Sequence, residues 1–199
     1  MQISEAQHKT AGEFVDLIAK RLGSGRAVHP QTAIASSARL AGSLLLRSFN
    51  LNINGIQPGH VVLSHEANEQ GPQLVSIFGS MLQHFGVQLD PAKLGWDQKY
   101  GEGLELTTLQ SLSLLQDEAM EIARKNAVPL KEAAHAAAIA TAFIAKECVK
   151  DVGVEAAFNI AVYGFLEGSK TAPPHPASPS SSEAPTSIAE GKKPWYKFW

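Results

Sequence analysis

Cysteine is nearly absent from this sequence, since Cys148 is the only one among 199 residues. One cysteine cannot form a disulfide within the chain, which excludes the disulfide-stapled class of small secreted domains. It also excludes the Cys-x-x-Cys pair of redox enzymes and of many zinc sites. Cys148 lies in an alanine-rich apolar stretch, where a free cysteine usually behaves as a small buried apolar residue. We therefore expect it to serve packing rather than to act as a reactive thiol.

An excess of positive charge is also missing. The formal net charge is −2, from 17 Lys+Arg and 19 Asp+Glu. Residues 170–199 hold four Lys and two Glu, a net of +2, which leaves −4 on residues 1–169. Neither value is large enough to steer a polyanion toward the protein, so the composition gives no support to nucleic acid as a partner.

Long apolar runs are missing as well. The longest nearly apolar stretches, residues 133–145 and 156–166, are shorter than the ~20 residues that a membrane-spanning helix needs. The N-terminal residues lack the basic and apolar regions of a secretory signal peptide. The expected location is the cytoplasm, with attachment to a membrane surface as an alternative that depends on the C-terminal peptide described below.

Catalytic signatures are absent from the sequence. It contains no phosphate-binding P-loop, no GxGxxG, no GxSxG and no Cys-x-x-Cys. His65 and Glu66 begin like a zinc-protease motif, but the second histidine of that motif is missing. We therefore expect no cofactor, and the sequence leans away from an enzyme without deciding the question.

Two helices are predicted at the start of the chain. Ser4 and Gln7 have the spacing of a capping box, and the residues that follow repeat at three and four positions. Gly23 and Gly25 are expected to form a left-handed C-terminal cap. Pro30 suits the first turn of a second helix. The inward positions of these two helices are predicted to be Ala11, Phe14, Val15, Ile18, Leu22, Ile34, Ala38, Ala41, Leu45 and Phe49, with Arg39 and Arg47 at an outer edge.

Four further helices are predicted, although the segment between them and the first two is less regular. Residues 50–63 contain two turn dipeptides and permit a small two-stranded ribbon. Ser64 is expected to cap a short helical turn that Gly71 ends, and Pro72 is expected to open the next helix. Later helices are predicted over residues 106–125, from Pro129 to Gly153, and from there to residue 168. The sequence thus predicts an all-α protein, a single bundle of five to six helices.

One residue spacing in the sequence, Glu-x-x-His, is typical of metal-binding helical bundles. Glu-x-x-His places both side chains on one face of a helix, as in carboxylate-bridged di-metal bundles. The spacing occurs at Glu5 and His8 and again at Glu132 and His135. These four residues are weak metal-ligand candidates, because a surface capping acid with a partly buried histidine explains the spacing better than a metal site does.

The C-terminal part of the chain differs sharply in composition. We divide the sequence into a bundle domain (1–169), a Pro/Ser-rich linker expected to be disordered (170–191) and a terminal peptide (192–199). The terminal peptide has the sequence KKPWYKFW. The residues predicted to bind a partner are Trp195, Tyr196, Phe198 and Trp199, with Lys192, Lys193 and Lys197.

The sequence leads to three functional hypotheses. The first is a non-enzymatic helical adaptor or regulatory module whose terminal peptide docks a protein partner. The second is a metal-binding bundle enzyme or storage protein that uses Glu132 and His135. The third is a peripheral membrane protein attached through the aromatic and basic side chains of the tail. Folding of the tail back onto the bundle, and homo-oligomerisation, are left open.

Overall fold

The computed structural model describes residues 3–23, 28–53, 55–95 and 103–175. Within these ranges it contains six α-helices, one short 3₁₀ turn and no β-strand, which confirms the all-α class. Of these helices, none has the length and apolar character needed to cross a bilayer. The helices are α1 (Glu5–Leu22), α2 (Pro30–Ser48), α3 (His65–His84), α4 (Thr108–Lys125), α5 (Leu130–Val152) and α6 (Val154–Ser169), and the 3₁₀ turn covers Pro91–Lys93.

The start of α1 is the one predicted from its capping box. The backbone N–H of Ser4 donates to Gln7 Oε1 at 2.9 Å, and the N–H of Gln7 donates to Ser4 Oγ at 3.2 Å. The predicted inward positions from Ala11 to Leu22 are buried. The left-handed cap is wrong at Gly23, whose φ is −94°. Its N–H still bonds to the Ala19 carbonyl at 2.9 Å, so the last turn closes without a left-handed residue, and Gly25 lies outside the described residues.

The second helix is the centre of the bundle. Pro30 occupies its first turn, as predicted, and every residue from 32 to 46 is buried. The expected outer edge at Arg39 is wrong, because this side chain is only 3% exposed. Both α4 and α6 cover that side of α2, and Glu167 on α6 pairs with the guanidinium at 2.6 Å. Arg47 is half-buried.

Three glycines allow α2 and α6 to approach at backbone distance. A Cβ at Gly164 would lie 2.7 Å from Ala38 Cβ and 2.9 Å from the Ala35 carbonyl oxygen. A Cβ at Gly42 would overlap the Phe165 carbonyl, and one at Gly168 would overlap the Arg39 carbonyl. Real Cβ atoms do not come so close, so the contact requires the absence of a side chain at these positions.

The third helix corrects the prediction of two separate helices. It runs without interruption from His65 to His84, with Pro72 inside it. Proline removes the hydrogen bond to the carbonyl four residues earlier, which belongs to Asn68. Both Asn68 and Pro72 are exposed, so water can satisfy that carbonyl, while Leu74 and Phe78 farther along the helix are fully buried in the core. Ser64 does cap the helix, since its Oγ accepts from the Ala67 N–H at 3.1 Å.

The last three helices agree with the predicted order. A capping box of Thr107 and Gln110 starts α4 two residues later than predicted. All residues of α5 from 133 to 145 are buried, and eight of these thirteen residues are alanine. Gly153, with φ of +89°, separates α5 from α6. The predicted ribbon in residues 50–63 is absent from the described part of that segment, where Val61 instead forms an isolated antiparallel bridge with Thr171.

The described chain continues past α6 into residues 170–175, the first part of the predicted linker. The N–H of Val62 donates to the Lys170 carbonyl, and the N–H of Ala172 donates to the His60 carbonyl, both at 2.8 Å. Ala172 is 2% exposed and packs with Leu46 and Val62 in a small apolar cluster. The described chain therefore crosses the bundle surface as far as His175, because a few backbone bonds and the buried side chains of Ala172 and Pro173 hold it there.

Candidate functional site

An apolar groove lies between α3 and α6 and has a volume of about 500 Å³. Helix α3 contributes small residues at two successive turns, Ala67 and Gly71, so its surface is recessed there. Helix α6 forms the opposite wall with larger side chains. The apolar residues that line this α3–α6 groove are Ala67, Gly71, Pro72, Val75, Val162, Phe165 and Leu166. Its polar lining residues are Asn68, Ser76, Ser169 and Lys170. Its volume falls within the roughly 300–1,000 Å³ of pockets that bind small molecules.

A second depression of about 340 Å³ continues along α3. It is lined by Ile3, Ile77 and Met81, and it shares Ser76 with the α3–α6 groove. Ser76 is exposed, and its hydroxyl donates to the Pro72 carbonyl at 3.1 Å. Gln73 and Ser80 add two more polar side chains to the lining of the second depression. The exposed side chains of α3 are mainly polar, so the apolar surface beside this helix is that of the α3–α6 groove.

Exposed apolar side chains extend this surface at one end of the groove. Val61 is 71% exposed and Leu63 is 79% exposed, and they flank Val62, whose N–H donates to the carbonyl of groove residue Lys170. Leu166 on the groove wall is 38% exposed. Single exposed apolar residues are common on proteins, but a contiguous apolar patch is typical of a binding surface.

A buried polar network lies on the other side of α6. Arg39 donates to Glu167 Oε2 at 2.6 Å, to the Leu106 carbonyl at 2.8 Å and to Ser111 Oγ at 3.2 Å. Burial raises the pKa of the Tyr163 phenol, and the nearby Glu167 carboxylate adds to that rise. The network joins α2, α4 and α6, so its geometry serves to fix the helices rather than to face a substrate.

A second polar cluster holds the chain after α6. The Pro174 carbonyl accepts from Arg47 Nη2 at 2.8 Å and from Gln116 Nε2 at 3.3 Å. Gln116 Oε1 in turn accepts from the Ser43 hydroxyl at 2.9 Å. Burial lowers the pKa of Arg47, and the charge of Asp117 opposes that change. These bonds fix the point from which residues 176–199 leave the described structure.

The metal-ligand candidates do not form a cluster. Glu5, His8 and Glu132 are exposed, and His135 is 7% exposed. In the part of the chain that the structure describes, no three His, Cys, Asp or Glu side chains are grouped closely enough to hold a metal ion. His135 Nε2 is buried without a hydrogen-bond partner. Burial lowers the pKa of His135, the charge of Lys131 lowers it further, and Glu132 opposes both.

Cys148 is half-buried and packs at the edge of the core, in line with the packing role expected of it. Burial raises the pKa of its thiol to about 11, with a smaller contribution from the nearby carboxylates of Asp151 and Glu147. At neutral pH the side chain is therefore the thiol and not the nucleophilic thiolate.

The predicted partner-binding residues, from Lys192 to Trp199, lie outside the described residues. Sequence reasoning missed the α3–α6 groove, because it divided α3 at Pro72. The spacing of Ala67, Gly71 and Val75 at four residues, on one face of a continuous helix, is the signal that could have revealed it. Comparisons with protein-family models, with curated proteins and with solved structures find no match to this chain.

Proposed function

We propose that this protein is a helical adaptor, a non-enzymatic binding module that presents the KKPWYKFW peptide to a protein partner. The observation that carries the proposal is the concentration of aromatic residues at the end of the chain. Four of the last five residues are aromatic, and the preceding segment is rich in Pro and Ser. Trp and Tyr dominate the binding energy of protein interfaces, so such a peptide has the composition of an interface anchor.

The bundle supplies a fixed base for this peptide. Pro174 is held by Arg47 and Gln116, both of which belong to long helices of the core. About 20 residues separate His175 from Trp195, and a flexible chain of that length has an end-to-end distance of about 25 Å. A partner can therefore bind the peptide without contacting the exit point, which is the arrangement of an adaptor rather than of a single rigid interface.

The division of roles within the peptide follows from its side chains. Trp195 and Trp199 are expected to supply most of the affinity, each worth about 2 kcal/mol or more on truncation to alanine. Lys192, Lys193 and Lys197 add attraction that depends on salt and mainly raises the association rate. The proposal places the protein in the cytoplasm, with the membrane surface as the other candidate location.

The experiment compares the full chain with the variant Trp195→Ala/Trp199→Ala as baits in an extract of the source cell. Proteins retained by the full chain and lost by the variant are partner candidates, and each is then purified and tested directly. Free KKPWYKFW peptide should release the partner, whereas a scrambled peptide of the same composition should not. If both baits retain the same proteins in the same amounts, the tail is not the docking element.

Membrane attachment is a distinct outcome of the same design. Vesicles that contain anionic lipid should recover the full chain by flotation if the tail binds bilayers, and high salt should reverse that binding. Recovery with lipid and no protein partner would replace the adaptor by a peripheral membrane protein.

The metal-binding alternative rests on one observation, the buried Nε2 of His135 without a hydrogen-bond partner. Its partner in the motif, Glu132, is exposed. This alternative requires stoichiometric metal in protein purified without a histidine tag, and loss of that metal in His135→Gln. Elemental analysis of the parent and the variant decides between the two classes.

A further inference from the structure

The α3–α6 groove has no covering segment among the described residues, although its surroundings are those of a docking site. Leu166 on its wall is 38% exposed, and Val61 and Leu63 beside its Lys170 end are more than two-thirds exposed, at 71% and 79%. Burial of such side chains against an aromatic ligand would stabilise a complex because it removes apolar surface from water.

The chain itself passes the groove before it leaves the described structure. Lys170 lines the groove, and Pro174 is fixed by Arg47 and Gln116 four residues later. Four residues span at most about 14 Å, so the exit point lies near that end of the groove. The ~25 Å reach of the linker therefore includes the whole groove, whose α3 wall from Ala67 to Ser76 is only about 14 Å long.

Charge also favours the terminal peptide as the occupant. Residues 1–169 carry a net charge of −4, whereas the terminal peptide carries three Lys and no acidic residue. Lys170 is the charged residue among those that line the groove. The attraction therefore comes from the overall charge of residues 1–169 and not from the groove lining.

We propose that the α3–α6 groove binds the KKPWYKFW peptide of the same chain, with the aromatic side chains between α3 and α6. This inference rests on the proposed function, because covering the peptide matters only if a partner binds the same peptide. A peptide bound in the groove is covered, so a partner must compete with the groove for the same side chains. The bundle then acts as a built-in competitor that sets the apparent affinity for the partner.

The test uses the indole N–H signals of Trp195 and Trp199 in nuclear magnetic resonance spectra of the full chain. Trp195→Phe and Trp199→Phe assign the two signals, and free KKPWYKFW in the same buffer gives their unbound positions. In the parent, both signals should lie away from the unbound positions, and dilution should not move them. Leu166→Lys should return them to the unbound positions, because it removes an apolar contact and repels the lysines.

Leu114→Lys is the matched control, since Leu114 on α4 is 41% exposed and is not among the groove residues. It should leave the indole signals in place. Ser76→Lys is a second groove variant at an exposed position, which guards against misfolding of Leu166→Lys, and circular dichroism checks that each variant keeps its helices. Parent signals at the unbound positions would overturn the inference, and so would equal effects of Leu166→Lys and Leu114→Lys. Shifts that fade on dilution would also overturn it, because the peptide would then bind a second copy.

The two proposals fail separately. Unbound indole signals together with a partner that is lost in Trp195→Ala/Trp199→Ala would remove the groove inference and leave the adaptor intact. Shifted indole signals without any such partner would remove the adaptor and leave an intramolecular contact.

Discussion

A methyl group added at Gly164 tests the closeness of the α2–α6 contact. The added Cβ would lie 2.7 Å from Ala38 Cβ and 2.9 Å from the Ala35 carbonyl oxygen, so the helices would have to separate. Overpacking of this kind costs about 1–3 kcal/mol. Alanine also favours the helix by about 0.5–1 kcal/mol relative to glycine. The net expectation for Gly164→Ala is therefore a loss of about 1–2 kcal/mol in the free energy of unfolding.

Gly12→Ala in α1 is the matched control for this experiment. A Cβ at Gly12 has no neighbour within 4 Å, so only the gain in helix propensity remains. We expect Gly12→Ala to raise the free energy of unfolding by about 0.5–1 kcal/mol. Equilibrium denaturation in urea measures both variants. Stabilisation by Gly164→Ala equal to that of Gly12→Ala would refute the close contact of the two helices.

Three further predictions follow from particular contacts. Glu167→Ala leaves the buried Arg39 without the carboxylate of its ion pair and should lower the free energy of unfolding by about 3 kcal/mol. Glu118→Ala breaks an exposed pair with Arg21 and should lower it by less than about 1 kcal/mol. Equal losses of the two variants in urea denaturation would contradict the buried network. His135 has a lowered pKa in the folded state. As the pH falls below 6.5, the ordinary pKa of histidine, the unfolded chain therefore takes up the proton first, and stability is lost toward acid pH. His135→Gln should reduce that loss between about pH 7 and 5, and an unchanged pH profile of the melting temperature would show that this histidine does not contribute. A chain that ends at Ser169 should melt at a lower temperature than one that ends at His175, because Gln116 and Arg47 lose the Pro174 carbonyl. Equal melting temperatures of the two truncated chains in a thermal scan would show that these bonds do not stabilise the bundle.

Local signals predicted most of the helix boundaries. Ser4 and Gln7 begin α1 because the capping box needs only residues three positions apart. Pro30 and Gly153 mark a helix start and a helix break for similarly local reasons. The internal Pro72 misled the prediction, because its effect depends on the exposure of Asn68, which the tertiary packing decides.

Contacts between residues far apart in the chain could not be predicted from the sequence. Arg39 is buried because Glu167 on α6 meets its guanidinium, and no local pattern joins residues so far apart in the chain. The order of residues 170–175 likewise depends on His60, Arg47 and Gln116. The α3–α6 groove arises from two helices that are far apart in sequence. The sequence alone could therefore indicate only the small residues spaced along one face of α3.

The dissociation constant of a purified partner for the full chain and for Trp195→Ala/Trp199→Ala tests the central claim most directly. Two anchors worth about 2 kcal/mol each predict affinity about 10³-fold weaker in the double variant, while its helical circular dichroism signal stays that of the parent. Affinity within about tenfold of the parent would contradict the claim, because the free energy lost would be less than about 1.4 kcal/mol for both side chains together.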